Sequence, residues 1–378
     1  MGRPVLRLSR DTAGVSPVIG TVLVLAISVL GVAGILAWGA PTIDRIQTRN
    51  SQVAMEGEFE GLRDASQELS VPDHSRFPTI AMPAGTLAVQ KGTRFLVTSD
   101  HDPSNPSCDF RVTKWADTAS INSVATSSSG CRGGSTLEIY SVGGTTTVKQ
   151  TITSGGDGSQ VLAAGTDFTK GDWMFRLTHA GCPANVCAEA WLHSSDQLAW
   201  SLKASTGSRE LFLDGGAVFS RSDGTFFLEK EATIGDTSFG GGYYGLWLRS
   251  LLATSYTSIE GQGSRQVFLS LLGNSVRTDS SVVTKLRLDF SGTLAQAWCN
   301  AMVLRDPRLI DSTGKFTAVY KADTAATCAT GDANGVRSIC YTQFAATTST
   351  AAINPCTASG TAFQLRFLHA RIDTSLSV

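Results

Sequence analysis

Two thiols and two imidazoles fall within one short stretch, at His179, Cys182, Cys187 and His193. Thiolate sulfur and imidazole nitrogen are the donors of tetrahedral zinc, but this spacing follows none of the usual zinc-finger patterns. The two cysteines enclose only Pro183-Ala184-Asn185-Val186, and a small disulfide-closed loop is the preferred reading of the pair. A second group gathers hard oxygen donors of the kind calcium takes, at Asp100, Asp102, Asn105 and Asp109. It lacks the spacing of a helix–loop–helix calcium site, so it reads first as an Asx-rich turn, and calcium rests on donor type only. Asp332-x-Asn334-Gly335 poses the same choice, and the turn reading is again preferred. The run Gly240 to Gly245 is no phosphate loop, because no Lys-Ser or Lys-Thr follows it. Its Tyr243 and Tyr244, with Trp247, either meet a partner or pack inside.

No nucleophile elbow, H-E-x-x-H or phosphate-binding loop occurs, and none of the five histidines is spaced to pair with a nucleophile or a carboxylate. The sequence therefore assigns no catalytic residue, no metal and no cofactor; the chain reads as a non-enzyme. An anchored hydrolase would need clustered carboxylates or a Ser/His pair in a cleft. With 31 Lys+Arg against 32 Asp+Glu, the formal charge of −1 excludes a broadly basic nucleic-acid binder. At 42% hydrophobic residues, including 17 Phe, the chain has ample material for a packed core and is no disordered chain.

The eight cysteines Cys108, Cys131, Cys182, Cys187, Cys299, Cys328, Cys340 and Cys356 read as a disulfide set made outside the cell. Eight thiols permit about a hundred pairings. Local geometry favours Cys182 with Cys187, Cys108 with Cys131 around a Ser-rich loop, and Cys328 with Cys340 across the turn Gly331 to Gly335. That leaves Cys299 with Cys356.

These residues must be carried by short alternating runs that begin near residue 75. Examples are Thr93–Thr98, Trp173–Leu177, Glu210–Leu213, Gln266–Leu271, Lys285–Phe290 and Gln364–Leu368, separated by Gly, Ser, Thr, Asp and Pro. Such spacing predicts antiparallel strands of a sandwich type. The stretches 117–136 and 143–159, rich in Ser, Thr and Gly, read as surface loops. Leu294 to Leu304 is the one later helix, with Leu294, Ala297, Trp298 and Ala301 on one face. The expected class is α+β: a long hydrophobic N-terminal helix, then a mostly antiparallel β region divided into 75–204 and 205–378.

The N-terminal helix is the strongest signal. No charge occurs from Thr12 to Ile43, and Val15 to Ala40 would reach about 39 Å as a helix, enough to cross a ~30 Å hydrocarbon core. Arg3, Arg7 and Arg10 predict a cytoplasmic start and an exported remainder. The run is too long for an ordinary cleaved secretory signal. Trp38 and Pro41 mark the outer interface and a kink. Beyond them Ile43, Ile46, Val53, Met55, Phe59, Leu62, Ser66 and Leu69 continue one apolar stripe, which ends before Pro72.

Gly14 followed by Val15-Ser16-Pro17-Val18-Ile19-Gly20-Thr21 resembles the processing site and helix start of archaeal type IV pilin-like proteins. The stretch Leu213-Asp214-Gly215-Gly216-Ala217-Val218-Phe219 is similar to a Gly-Gly turn in the exported part of some large members of that group. The resemblance implies a leader of residues 1–14, cut between Gly14 and Val15, and a retained helix over 15–70 that serves as membrane anchor and then filament core. Cleavage would remove Arg3, Arg7, Arg10 and Asp11 and shift the formal charge from −1 to −3. Val15, Pro17, Ile19, Gly20, Leu23, Ile27, Leu30, Gly34 and Trp38 would lie in the membrane and later in the filament core. Where bacterial type IV pilins carry Glu, this chain has Ile19, so the bacterial docking contact does not transfer.

The implied partners are other pilin copies, a prepilin peptidase, an assembly ATPase and a membrane platform, with lipid as the neighbour before assembly and no nucleic acid. The implied role is a cell-surface filament subunit, either major or minor (tip), whose disulfide-tied head serves adhesion or surface contact. The plain alternative is a single-span anchor holding an extracellular binding domain that does not polymerise.

Overall fold

The computed structural model describes residues 17–69, 74–105, 108–114, 124–141, 147–151, 159–162, 172–204, 207–232, 243–304, 308–310, 316–321, 328, 335–343 and 362–377. One helix, α1 (Pro17–Glu68), runs 52 residues and passes through Pro41 without leaving the helix. Its polar hydroxyls bond back to the helix itself. Thr21, Ser28 and Thr42 donate to the carbonyls of Val18, Val24 and Trp38 at 2.9, 2.8 and 3.1 Å, so they present no unsatisfied donor outward.

The second half of α1 docks on the β region through a stripe at steps of seven, four and three. Thr48, Met55, Phe59, Leu62, Ser66 and Leu69 are all buried. Full burial of a large apolar side chain contributes about 1.5–3 kcal/mol, so this stripe is what fastens the helix. Ile43 and Ile46, expected on the same stripe, stay exposed because they precede Thr48, where burial begins; Val53 stays exposed because, two residues before Met55, it lies on another face. Lys230 to Glu60 at 3.1 Å and Arg63 Nε donating to the Glu231 carbonyl at 3.0 Å pin the helix sides.

The strands that follow are mostly antiparallel. One long parallel pair is an exception, Tyr243–Ala253 beside Phe363–Ser377. Together with α1 this makes the α+β class expected from the sequence. Among the described residues, eighteen strands join one hydrogen-bonded network and three more, Asp109–Lys114, Val124–Ser129 and Ser159–Leu162, form a small separate sheet. The network is continuous across residue 205. Val186–Ala204 and Gly207–Asp214 are hairpin partners, and Thr86–Asp100 pairs with strands on both sides of that point. A domain boundary there would cut a paired sheet. Val124–Ser129 and Thr147–Thr151 are strands although their Ser/Thr content favours loop; cross-strand pairing overrides that local preference.

The long strands work as shared walls. Thr86–Asp100 and Val186–Ala204 pair along most of their lengths, with a bulge where Ser195 faces Gly92 and Thr93. A Cβ on Gly92 would sit 2.8 Å from the Ser195 carbonyl oxygen, so the close crossing needs glycine. On one side of the bulge, Leu87, Val89, Leu198 and Trp200 join the core under α1. On the other side, Phe95, Val97 and Trp191 enter a second core around helix α2 (Ala295–Leu304), where Trp298 is enclosed by Phe95, Phe219 and Phe290. Leu96 and Leu192 point into a third core that holds Cys108, Cys131, Cys182 and Cys187.

The bulge frees the Thr93 N–H, which donates to the Asp214 carboxylate at 3.1 Å; Trp298 Nε1–H donates to the same oxygen at 3.2 Å. Asp214 opens the turn Asp214-Gly215-Gly216-Ala217, with φ of +56° and +81° at the glycines. A Cβ on Gly215 would meet the Trp298 ring at 2.8 Å, so this hairpin tip is buried rather than displayed. Burial pushes the Asp214 carboxyl up to about 6 against its hydrogen bonds.

Disulfides join Cys108 to Cys131, Cys182 to Cys187 and Cys299 to Cys328. The last differs from the expected Cys328–Cys340 and Cys299–Cys356 pairs. Cys299 on α2 packs against the Cys328 sulfur within the second core, while Cys340 lies on the strand Arg337–Gln343 and is itself disulfide-bonded. Cys356 lies outside the described residues.

Candidate functional site

The projecting half of α1 is the largest uncovered apolar surface among the described residues. Val18, Ile19, Val22, Leu23, Val24, Leu25, Ile27, Val29, Leu30 and on to Trp38 (81% exposed) are open on every face. The helix is long and apolar enough to cross a membrane. Of the residues assigned from sequence, Ile19, Leu23, Ile27, Leu30 and Trp38 are exposed here, and Gly14 and Val15 fall outside the described residues. Gly20, Leu23, Ile27, Leu30 and Gly34 follow at steps of three and four, so they share one face. Gly20, Gly31, Gly34 and Gly39 have nothing within 4 Å of where a Cβ would be, which leaves room for another helix to approach closely. An element apolar all round demands an apolar surrounding, either lipid or other helices.

Where the apolar run ends, charge begins. Arg45, Thr48, Arg49, Gln52, Val53 and Glu56 on α1, with Arg209 from Gly207–Asp214, line an open groove of about 640 Å³. Burial, with Glu229 and Glu60 nearby, pushes the Glu56 carboxyl above the ordinary range, against the Gln52 hydrogen bond of 2.7 Å.

Each described calcium candidate is engaged by a protein partner. Asp100 meets Lys285 at 3.2 Å. Asp102 takes Arg132 Nε at 2.7 Å and the Ser104 hydroxyl at 2.6 Å, and Asn105 donates to the Gly130 carbonyl at 3.0 Å. Burial tends to raise the Asp102 carboxyl, but Arg132 and Ser104 outweigh it and hold the group low. Protein cations thus occupy the positions a metal ion would take. The side chain of Asp109 lies outside the described set, as do Asp332 and Asn334. Nor do His179 and His193 meet: with Cys182 and Cys187 oxidised, His179 Nδ1 accepts the Gly181 N–H at 2.9 Å, and His193 turns inward elsewhere. Tyr243 and Tyr244 lie in the parallel-paired strand, and Trp247 lines a cavity of about 290 Å³ beside Gln67 and Leu69 of the helix end.

His193 enters a buried polar group invisible in the sequence, because its members come from four separate segments of the chain. Asp172, at the start of Trp173–Thr178, meets His193 Nδ1 at 3.2 Å and His369 Nδ1 at 3.4 Å. Ser250 Oγ lies 2.9 Å from His369 Nε2, and the two imidazole rings lie 3.8 Å apart, tilted 30°. Arg371 Nε approaches the Asp172 carboxylate at 3.8 Å. Burial alone would raise the Asp172 carboxyl, but the His193 hydrogen bond and the charges of His193, His369 and Arg371 prevail and hold it well below the usual carboxylate range. The order Ser250–His369–Asp172 is that of an acyl-transfer triad. Ser250 and His369 are both buried, and His369 borders the cavity that Trp247 lines.

A second buried chain runs from Ser99 to His101 (2.8 Å) and from Glu189 to Arg176 (2.7 Å). Burial lowers His101 despite the Glu189 charge.

Comparison with protein-family models, with curated proteins and with solved structures returns no match.

Proposed function

We propose that the chain is a type IV pilin-like filament subunit of an archaeal cell surface, working by assembly rather than catalysis. One observation carries the reading: a single uninterrupted helix has its second half fastened to the β head by a buried stripe, while its first half is apolar on every face and covered by none of the described residues. That division suits an element that is held in lipid first and among sister helices later. Processing between Gly14 and Val15 by a prepilin peptidase would release the basic leader. An assembly ATPase and a membrane platform would then lift the helix into a bundle of pilin copies, and a repeated head-to-tail contact extends without closing. The glycine face of the helix suits close packing in that bundle. The disulfide-tied β head would clothe the filament and make contact with surfaces.

The test is mass spectrometry of the mature N-terminus in membrane and sheared-surface fractions. The expected result is a chain that begins at Val15 and is recovered in filaments. A full-length chain that stays solitary in the bilayer would leave only a membrane-anchored binding protein. A chain shed without its helix would overturn the reading altogether.

A further inference from the structure

The geometry points to a structural site for a first-row divalent ion of the zinc class, held by Asp172, His193 and His369 in the interior of the β head. The donors are two imidazole nitrogens and one carboxylate oxygen, the set that zinc and its neighbours take, whereas calcium and magnesium prefer oxygen throughout. The three donor atoms lie within 4.8 Å of one another. A tetrahedral ion with bonds of about 2.0–2.1 Å imposes donor–donor separations of about 3.3–3.4 Å. His193 Nδ1 lies 3.2 Å from one oxygen of the Asp172 carboxylate and His369 Nδ1 lies 3.4 Å from the other, so a small turn of the carboxylate would bring one oxygen to both.

The surroundings are those of a supported metal ligand. With Ser250 Oγ at 2.9 Å, His369 can donate its Nε2–H to the hydroxyl, which leaves the Nδ1 lone pair aimed at Asp172. A lone pair facing a carboxylate oxygen is repulsive unless a proton or a cation lies between them. Without an ion each neutral ring can keep its proton on Nδ1, toward the carboxylate, with His369 Nε2 accepting from Ser250; an ion at Nδ1 requires the Nε2–H tautomer instead. One divalent ion satisfies the carboxylate and both rings together. The Phe367 ring, 5.6 Å from that of His193, closes one wall. Arg371, 3.8 Å from the carboxylate, is the only cation facing the group among the described residues that approach it, and its side chain is 35% exposed. It can turn to solvent as the ion arrives, which also marks the way in. Three protein donors leave a fourth position for a water.

The ion would tie the start of Trp173–Thr178 to Val186–Ala204 and Phe363–Ser377, segments that the described disulfides do not join to one another. This holds whether or not the chain polymerises.

The test uses the untagged full chain in detergent, stripped with a chelator and titrated with Zn²⁺ or Co²⁺ alone. The expected result is one ion per chain, tetrahedral Co²⁺ bands in the visible spectrum, and a melting temperature raised by the metal. His193→Gln and His369→Gln should lose the bands, and Ser250→Ala should weaken binding about 10–100-fold while keeping them. Because the glutamine variants risk misfolding, X-ray absorption on the zinc-loaded wild type serves as the second measurement, and should report two imidazoles with oxygen. Failure of the wild-type chain to bind either ion, a spectrum without two imidazoles, or folded glutamine variants that bind undiminished would each overturn the site.

Discussion

Phe59→Ala and Leu30→Ala remove comparable apolar bulk from the same helix, yet they should behave oppositely. Phe59 is fully enclosed in the core between α1 and the strands, beside Met55 and Leu62. Its truncation loses the transfer free energy of the ring and leaves a cavity that the rigid sheet cannot fill, at a cost of about 3–5 kcal/mol. Leu30 is 71% exposed, so its truncation opens no cavity. Alanine is also the better helix former, which makes the expected change in the isolated chain about zero. Urea melts of the detergent-solubilised chain, followed by tryptophan fluorescence of the β head, measure both. Phe59→Ala should shift the midpoint far down and Leu30→Ala should leave it in place. If the proposed function holds, Leu30→Ala would show its effect only in the yield of filaments. Equal loss from the two variants would refute the division of α1 into a docked half and a free half.

Asp214 predicts a pH dependence. Its carboxyl is pushed up to about 6 in the folded chain, against about 3.9 when unfolded. Between these values the folded chain keeps a proton that the unfolded chain has released, so stability falls as pH rises from about 4 to 6, by about 3 kcal/mol, and is then level. Asp214→Asn, which retains an acceptor for Thr93 and Trp298, should abolish that slope in denaturant melts; a slope unchanged in the variant would refute the assignment. For the cystines, the Cys299–Cys328 bridge closes a loop of 29 residues and should contribute about 3–4 kcal/mol, against about 2 for the five-residue Cys182–Cys187 loop. Serine pairs at each site, compared by thermal melting, should rank in that order. Peptide mapping that found Cys328 linked to Cys340 would contradict the structure.

Much of this protein is local, and what is local was legible in the chain. A long uncharged apolar run that ends at Ile43 marks a helix that seeks an apolar surrounding, and the helix is seen from Pro17 onward. The spacing of Met55, Phe59, Leu62, Ser66 and Leu69 states which side of its continuation is covered. Alternation in Thr93–Thr98 or Gln364–Leu368 marks strands, and the Leu294, Ala297, Trp298 face marks α2, because period and burial are coupled within a few residues. Where the strands ended was not legible: Thr93–Thr98 is the middle of a fifteen-residue strand whose length is set by its partners.

The buried centre was invisible for the same reason. Asp172, His193 and His369 carry no common spacing; a bulged pair of long strands and a parallel partner bring them together. His193 was drawn in the sequence toward Cys182 and Cys187, whose oxidation to each other leaves it to turn inward. Cys328 likewise had a near neighbour in sequence at Cys340 but a nearer one in space at Cys299. Contacts a few residues apart are dictated by chain geometry, and contacts across the head are dictated by how three cores share the same strands; only the folded chain holds that second kind of information.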